Sequence, residues 1–208
     1  MIDEIVIEVK NKDKKIAGLN NGKLSFFAAV NESKASEGNI YLGKITKKIQ
    51  TAKGGFAYFV NIGYTEDVFI NAEEHGLEQL EAHEGQDIIL QVVQEGHAEK
   101  SARMSRFLTF AGINLVFLPY GEDIEISPKI TDEEKREELY QLLAEKVTEG
   151  GWVVRTNATE VSFQEILKEA EELQKSFADT IAKAKTSRAP CLLFAKDTIL
   201  QEIKGIQP

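Results

Sequence analysis

The feature that most constrains this chain is a change of period along its length. Up to about residue 106, apolar and polar residues alternate in short runs broken by glycine or polar turns. Beyond that point two long stretches repeat their apolar residues at helical spacing. MIDEIVIEV and KIAGLNNGKLSFFAAV read as strands, with Asn20-Asn21-Gly22 turning a hairpin between Lys15–Leu19 and Lys23–Val30. NIYLGKITKKI, GGFAYFVNIG, TEDVFI and QDIILQVVQEG read as four more strands, with NAEEHGLEQLEAHEG between the last two helical or irregular. A set of about five short strands on this scale builds a small closed barrel of the OB type.

The second half reads differently. FLTFAGINLVFLPY suggests a pair of strands and GWVVRTNA a short strand with a turn after it. One helix is expected over Asp132–Glu149, with Thr131 as N-cap, Glu134 closing a capping box, and Leu139, Leu142, Leu143 and Val147 on one face. A second is expected over Ser162–Lys185, with Ser162 as N-cap, Glu165 three residues on, and Ile166, Ala170, Leu173 and Phe177 facing inward. CLLFAKDTILQEIKG closes as strands. The expected class is α+β, a small OB-fold/S1-type barrel inserted in a mixed α/β domain. The expected divisions are 1–35 (an N-terminal β segment), 36–106 (the barrel) and 107–208 (an α/β unit).

A net charge of −9 argues against nucleic acid at first sight, because Lys and Arg supply phosphate affinity. The charge is segregated, however. No acidic residue lies between Glu37 and Glu66, a span that holds Lys44, Lys47, Lys48 and Lys53, and Lys100, Arg103 and Arg106 follow. The acids gather in TDEEKREELYQLLAEK and EILKEAEELQK, helices suited to a solvated face or a protein partner. No apolar run reaches the roughly 20 residues that cross a bilayer, the N-terminus lacks the features of a secretory signal, and Cys191 is a single cysteine. A cytoplasmic protein is expected.

Phe56, Tyr58 and Phe59 lie beside the lysines, with Phe69 ten residues after Phe59. Strand alternation points Phe56 and Tyr58 one way and Phe59 the other. Core packing and a base-stacking surface are both open to these rings. Arg155-Thr156, after Trp152-Val153-Val154, puts a guanidinium and a hydroxyl at a strand end, able to grip a terminal phosphate or to join a surface ion pair. His75, His83 and His97 sit in polar contexts without metal spacing. P-loop, GxGxxG, HExxH and GxSxG patterns are lacking. No catalytic residue, metal site or cofactor is assigned.

Four stretches together resemble the bacterial ribonuclease E/G family: Asn39-Ile40-Tyr41-Leu42-Gly43-Lys44-Ile45; Gly55 through Gly63 running to Asp67-Val68-Phe69-Ile70; Leu108 through Val116; and Val154-Arg155-Thr156. The run Arg188-Ala189-Pro190-Cys191 is similar to a stretch of that family as well. The resemblance implies an RNase H-like fragment at the N-terminus, an S1 RNA-binding barrel and a 5′-sensor region. It implies that Phe59 and Phe69 stack RNA bases, that Lys100 and Lys44 meet phosphates, and that Gly112, Val116, Arg155 and Thr156 hold a 5′-monophosphate. Such a protein binds single-stranded RNA and takes part in ribosomal RNA processing or messenger RNA decay. Two departures stand out. Glu66-Asp67 replaces a basic pair before Phe69, and Ser127-Pro128-Lys129-Ile130 lacks two guanidinium groups of the family pattern. In the family, magnesium chemistry belongs to a DNase I-like subdomain that follows the sensor, and this sequence ends before it. Mg2+ is therefore expected only where that subdomain is present.

Three functions compete: a non-catalytic RNA binder, a shortened metal-dependent endoribonuclease, and a protein-interaction module that has lost RNA. A monomer is expected.

Overall fold

The computed structural model describes residues 3–10, 13–31, 35–52, 54–72, 82–96, 101–147 and 149–196. Strands β1 (Glu4–Lys10), β2 (Asp13–Asn20) and β3 (Lys23–Asn31) form an antiparallel sheet in chain order. The predicted hairpin is present. Asn21 and Gly22 both take positive φ, 50° and 71°, the backbone of a two-residue turn whose twist matches its strands. Ile5, Val6, Ile7 and Val9 are all exposed in sequence succession, so β1 shows apolar side chains on both of its faces.

The barrel is made by β4 (Ile40–Gln50), β5 (Phe56–Asn61), β6 (Val68–Asn71), β7 (Asp87–Gln94) and β8 (Arg103–Ser105). Their order is β6-β5-β4-β7-β8, and the edge strands β6 and β8 approach one another, so the antiparallel sheet nearly closes. Its interior packs Tyr41, Ile45, Tyr58, Val60, Ile70, Leu90, Val92 and Met104. β8 is a strand the sequence reading did not separate. Most of the segment expected to be helical or irregular before β7 lies outside the described residues.

β4 is continuously apolar over its first four residues because both of its faces are buried there. Tyr41 and Ile45 point into the barrel, while Ile40 and Leu42 pack into a second core on the other side. Gly43 sits between them because a Cβ there would stand 2.6 Å from Val60 Cγ1.

That second core lies under a sheet of order β11-β12-β10-β9, with β9 (Phe110–Ala111), β10 (Leu115–Leu118), β11 (Ile124–Ile126) and β12 (Gly151–Val154). β11 pairs parallel to β12, a strand too short and too interrupted to be read from sequence. Trp152 is fully buried and stacks on Phe117 at 4.6 Å. Helix α1 (Glu133–Lys146) is shorter than expected and its N-cap is Asp132, not Thr131. The Asp132 carboxylate accepts from Lys135 N–H, and Glu133 and Glu134 fill the first turn. An aspartate is the stronger cap and suits the helix dipole, which is why the start moves by one residue. A 3-10 turn (Thr156–Glu160) then leads to α2 (Phe163–Thr186). The capping box of Ser162 and Glu165 is formed in full. Ile166 and Ala170 are buried, with Leu173 and Phe177 packed beside them, as the 3.6-residue period requires. Phe177 meets Phe110, Phe117 and Tyr120 edge-on.

Two features fasten this unit to the barrel. Strand β13 (Cys191–Phe194) pairs antiparallel with β4; the rest of the closing segment lies outside the described residues after Lys196. Gln91, a barrel residue only 2% exposed, donates to Gly38 O and Thr109 O and accepts from Thr109 N–H at 2.7 Å. A buried amide satisfied on both ends fixes the junction rather than destabilising it. The whole is mixed α+β with an OB/S1-type barrel, as expected.

Candidate nucleic-acid interface

The barrel separates its aromatic residues into buried and outward-facing ones. Tyr58 is 1% exposed and belongs to the core. Phe59, the next residue, points the other way. It lies directly opposite Phe69 on β6 and opposite Lys47 on β4. Directly opposed residues share a face, so Lys47, Phe59 and Phe69 form one row across three strands on the outside of the barrel. The two rings meet edge to face, centroids 5.5 Å apart, and Phe69 is 43% exposed. A ring presented in this way offers a face for a flat base. Phe56 is exposed too, but its face is covered by the Lys48 ammonium at 4.2 Å.

The lysines are not equivalent. Lys44 is ion-paired with Asp87 and donates to Gly85 O at 3.2 Å, so part of its charge is already compensated. Lys47, part of the basic span but not among the expected phosphate contacts, is exposed and adjoins Phe59. Lys100 lies outside the described residues. Asp67, one of the two acids that replace a basic pair, has its carboxylate held by the Thr46 hydroxyl at 2.5 Å, with the Phe59 carbonyl oxygen 3.1 Å from the same hydroxyl. The acid therefore sits at the edge of the aromatic row.

The second candidate site is a tight turn between β9 and β10. Gly112 N–H donates to Leu115 O at 2.8 Å. Arg155, immediately after β12, donates from its backbone N–H to Asn114 O (2.8 Å) and from Nη1 to Gly112 O (2.6 Å). Gly112, Val116 and Arg155 thus come together from segments 43 residues apart, at one end of the β10–β12 pair. Val116 is half-buried, paired with Ala111 and Val153. Thr156 opens the 3-10 turn, and its carbonyl accepts from the Thr159 hydroxyl at 2.9 Å. The Arg155 side chain is exposed and offers the remainder of its guanidinium fork to an anion.

Sequence reasoning missed the carboxylate that completes this turn. Glu169 of α2 reaches over to accept from Asn114 N–H (2.9 Å), Leu115 N–H (3.0 Å) and Asn114 Nδ2 (2.6 Å). In sequence it is one acid among several in KEAEELQK. Its only signal is its place three residues after Ile166, on the buried side of the helix.

Arg136 of α1 donates from Nη1 to Ser127 O and Ile130 O, so the Ser127-Pro128-Lys129-Ile130 segment, poor in its own guanidinium groups, is held by one from behind. Among the described residues no cluster of three His, Cys, Asp or Glu could hold a metal ion. No helix among them is long and apolar enough to cross a membrane.

Residues 109–204, which include this turn and Arg155-Thr156, match the model of the ribonuclease E/G family. Ribonuclease G of Escherichia coli (strain K12) is 26% identical over 222 aligned residues, covering 98% of this chain and 45% of that protein. Ribonuclease G of Haemophilus influenzae is also 26% identical, over 96% of this chain and 44% of its own length. Ribonuclease E of Synechocystis is 30% identical over 80% of this chain and 26% of its own length. The chain therefore spans less than half the length of these relatives. By a family match over the turn-bearing unit and by relatives aligned along nearly all of its length, the chain belongs to the ribonuclease E/G family.

Proposed function

We propose that this chain binds single-stranded RNA on the outer face of its barrel and engages a 5′-monophosphate end at the turn held by Arg155. The observation that carries the proposal is the outward pair Phe59 and Phe69, beside Lys47, on a strand whose neighbouring Tyr58 is wholly buried. Stacking on exposed rings is worth about 1–3 kcal/mol per base and tolerates any sequence, while lysines add a salt-dependent phosphate term.

At the turn, Arg155 and Thr156 supply a charged fork and a hydroxyl, the donor types that a terminal phosphate requires. Gly112 and Val116 line the same corner. Lys44 serves as a secondary, partly compensated charge, and Lys100 is kept as a phosphate contact on the resemblance alone. Such an activity places the chain in ribosomal RNA processing or messenger RNA decay.

The test is a titration of a single-stranded RNA of about ten nucleotides, a length that fits one OB-type barrel, with the parent and the Phe59→Ala/Phe69→Ala variant. The double variant should bind at least about tenfold more weakly with its fold intact. Parental affinity in the double variant rejects the platform.

A further inference from the structure

The turn between β9 and β10 has an unusual economy. Its hydrogen-bonding groups are claimed by two side chains of opposite charge that reach it from different elements. Arg155 takes the Gly112 carbonyl. Glu169 takes the Asn114 and Leu115 amides with one carboxylate oxygen and the Asn114 side-chain amide with the other. Two further observations show that the packing is arranged around this carboxylate. A Cβ on Gly112 would stand 2.0 Å from Glu169 Oε1, so a side chain there would push the carboxylate out of its place. Asn114 is 6% exposed, and with its Nδ2 committed to Glu169 its Oδ1 is left buried without a hydrogen-bond partner. Leaving a buried acceptor unpaired costs stability and calls for a reason.

We infer that Glu169 is a positioning residue for end recognition: its carboxylate holds the 112–115 turn in the one arrangement that sets the Arg155 guanidinium to receive a 5′-phosphate. The inference rests on the reading of this corner as the 5′-end site. A carboxylate only accepts hydrogen bonds, so three donors converging on it fix the orientation of two successive peptide planes. Glu169 is itself anchored by its neighbours Ile166 and Ala170, both buried on the inner stripe of a 24-residue helix. The helix thereby determines the pose of the turn, and the turn carbonyl determines the pose of Arg155. Arg155 and Glu169 grip opposite polar ends of the turn, the guanidinium through the Gly112 carbonyl and the carboxylate through the Asn114 and Leu115 amides.

The experiment compares binding of the same short RNA with a 5′-monophosphate or a 5′-hydroxyl by the parent, Glu169→Ala, Glu169→Gln, Gly112→Ala, the Gly112→Ala/Glu169→Ala pair and Arg155→Ala. Glu169→Ala should reduce the preference for the monophosphate by about tenfold or to unity, with affinity for the hydroxyl RNA unchanged. Glu169→Gln should restore it, because its carbonyl oxygen still accepts the two amides and its NH2 can meet Oδ1 of a rotated Asn114. Gly112→Ala should lower the preference in the parent and add nothing in the Glu169→Ala background. A preference that is lost in Arg155→Ala but kept in Glu169→Ala leaves the end-recognition reading standing and overturns the role of Glu169. Equal weakening of both RNAs by Glu169→Ala overturns it as well. If Glu169→Ala does not fold, Gly112→Ala decides, and a full parental preference there sinks the inference. If the parent itself shows no preference, the end-recognition reading falls and takes the inference with it.

Discussion

The aromatic row on the barrel and the clamped turn beside α2 are both candidate contacts for RNA, and they are built by different means. The row is a product of strand period. Once β5 buries Tyr58, Phe59 must face outward, and the register with β4 and β6 sets Lys47 and Phe69 beside it. The turn is a product of long-range hydrogen bonds. Arg155 and Glu169 reach it from 43 and 55 residues away, and neither strand period nor helix period requires them to meet there. A surface set by local period tolerates substitution without loss of fold. A corner set by mutual side-chain clamps gives up stability when either clamp is removed.

The sharpest way to break this contrast uses adjacent residues of one strand. Tyr58→Ala should destabilise the chain by about 3–5 kcal/mol in thermal or denaturant unfolding, the range for a large aromatic core truncation. Phe59→Ala should change stability little and affinity for RNA strongly, by about 1–3 kcal/mol per base no longer stacked. Similar unfolding losses for the two would place Phe59 in the core and remove the platform.

At the turn, substitution should cost stability as well as function. Glu169→Ala leaves the Asn114 and Leu115 amides without their acceptor and should cost about 1–3 kcal/mol. Gly112→Ala should cost less in the Glu169→Ala background than in the parent, a non-additivity read from a double-mutant cycle on unfolding free energies. Strict additivity would mean that the two residues do not share the space the structure gives them.

A smaller effect concerns the entry of α2, from which Glu169 projects. Ser162→Ala should cost about 1 kcal/mol by removing the cap. The Ser162 backbone N–H, and after it the Ser162 hydroxyl, hold the Glu165 carboxyl below its usual range. A group whose pKa is lowered in the folded state contributes stability above its unfolded value and loses it as pH falls through the folded one. The Glu165 half of the capping box is therefore complete at neutral pH and fades on acidification through the carboxylate range, while the Ser162 hydroxyl still accepts from Glu165 N–H. Glu165→Gln should flatten that part of the stability profile; an unchanged profile would deny the capping box any role in it.

The smallest effect separates the lysines. Lys47→Ala should lower the slope of log affinity against log salt by about 0.7, one phosphate of a single strand. Lys44→Ala should lower it less, because Asp87 already shares that charge. Equal slopes would undo the distinction between them.

What the sequence made legible follows the same division. The hairpin at Asn21-Gly22, the barrel strands β4 to β7, the capped start of α2 and its inner stripe were readable, since each is written in spacing over a few residues, whereas the three-residue β8 was not. Pattern alone left the rings open between core and surface, although alternation already set Phe59 apart from Tyr58. The parallel strand β11, only three residues long, carries too little period to declare itself. The cap of α1 shifted by one residue because Thr131 and Asp132 are both competent and only the backbone chooses. Glu169 was illegible for a deeper reason. Two of its three donors are backbone amides, which carry no residue-specific signature in a sequence, and the third is the side chain of an asparagine 55 residues away.

The most direct test of the account measures two RNAs, alike but for a 5′-monophosphate or 5′-hydroxyl, against the parent, Phe59→Ala/Phe69→Ala and Arg155→Ala. Losing the rings should weaken both RNAs by the same factor and leave their ratio intact. Losing Arg155 should abolish the ratio and spare the hydroxyl RNA. A parent that binds both ends equally, or two variants that move the same quantity, would contradict it.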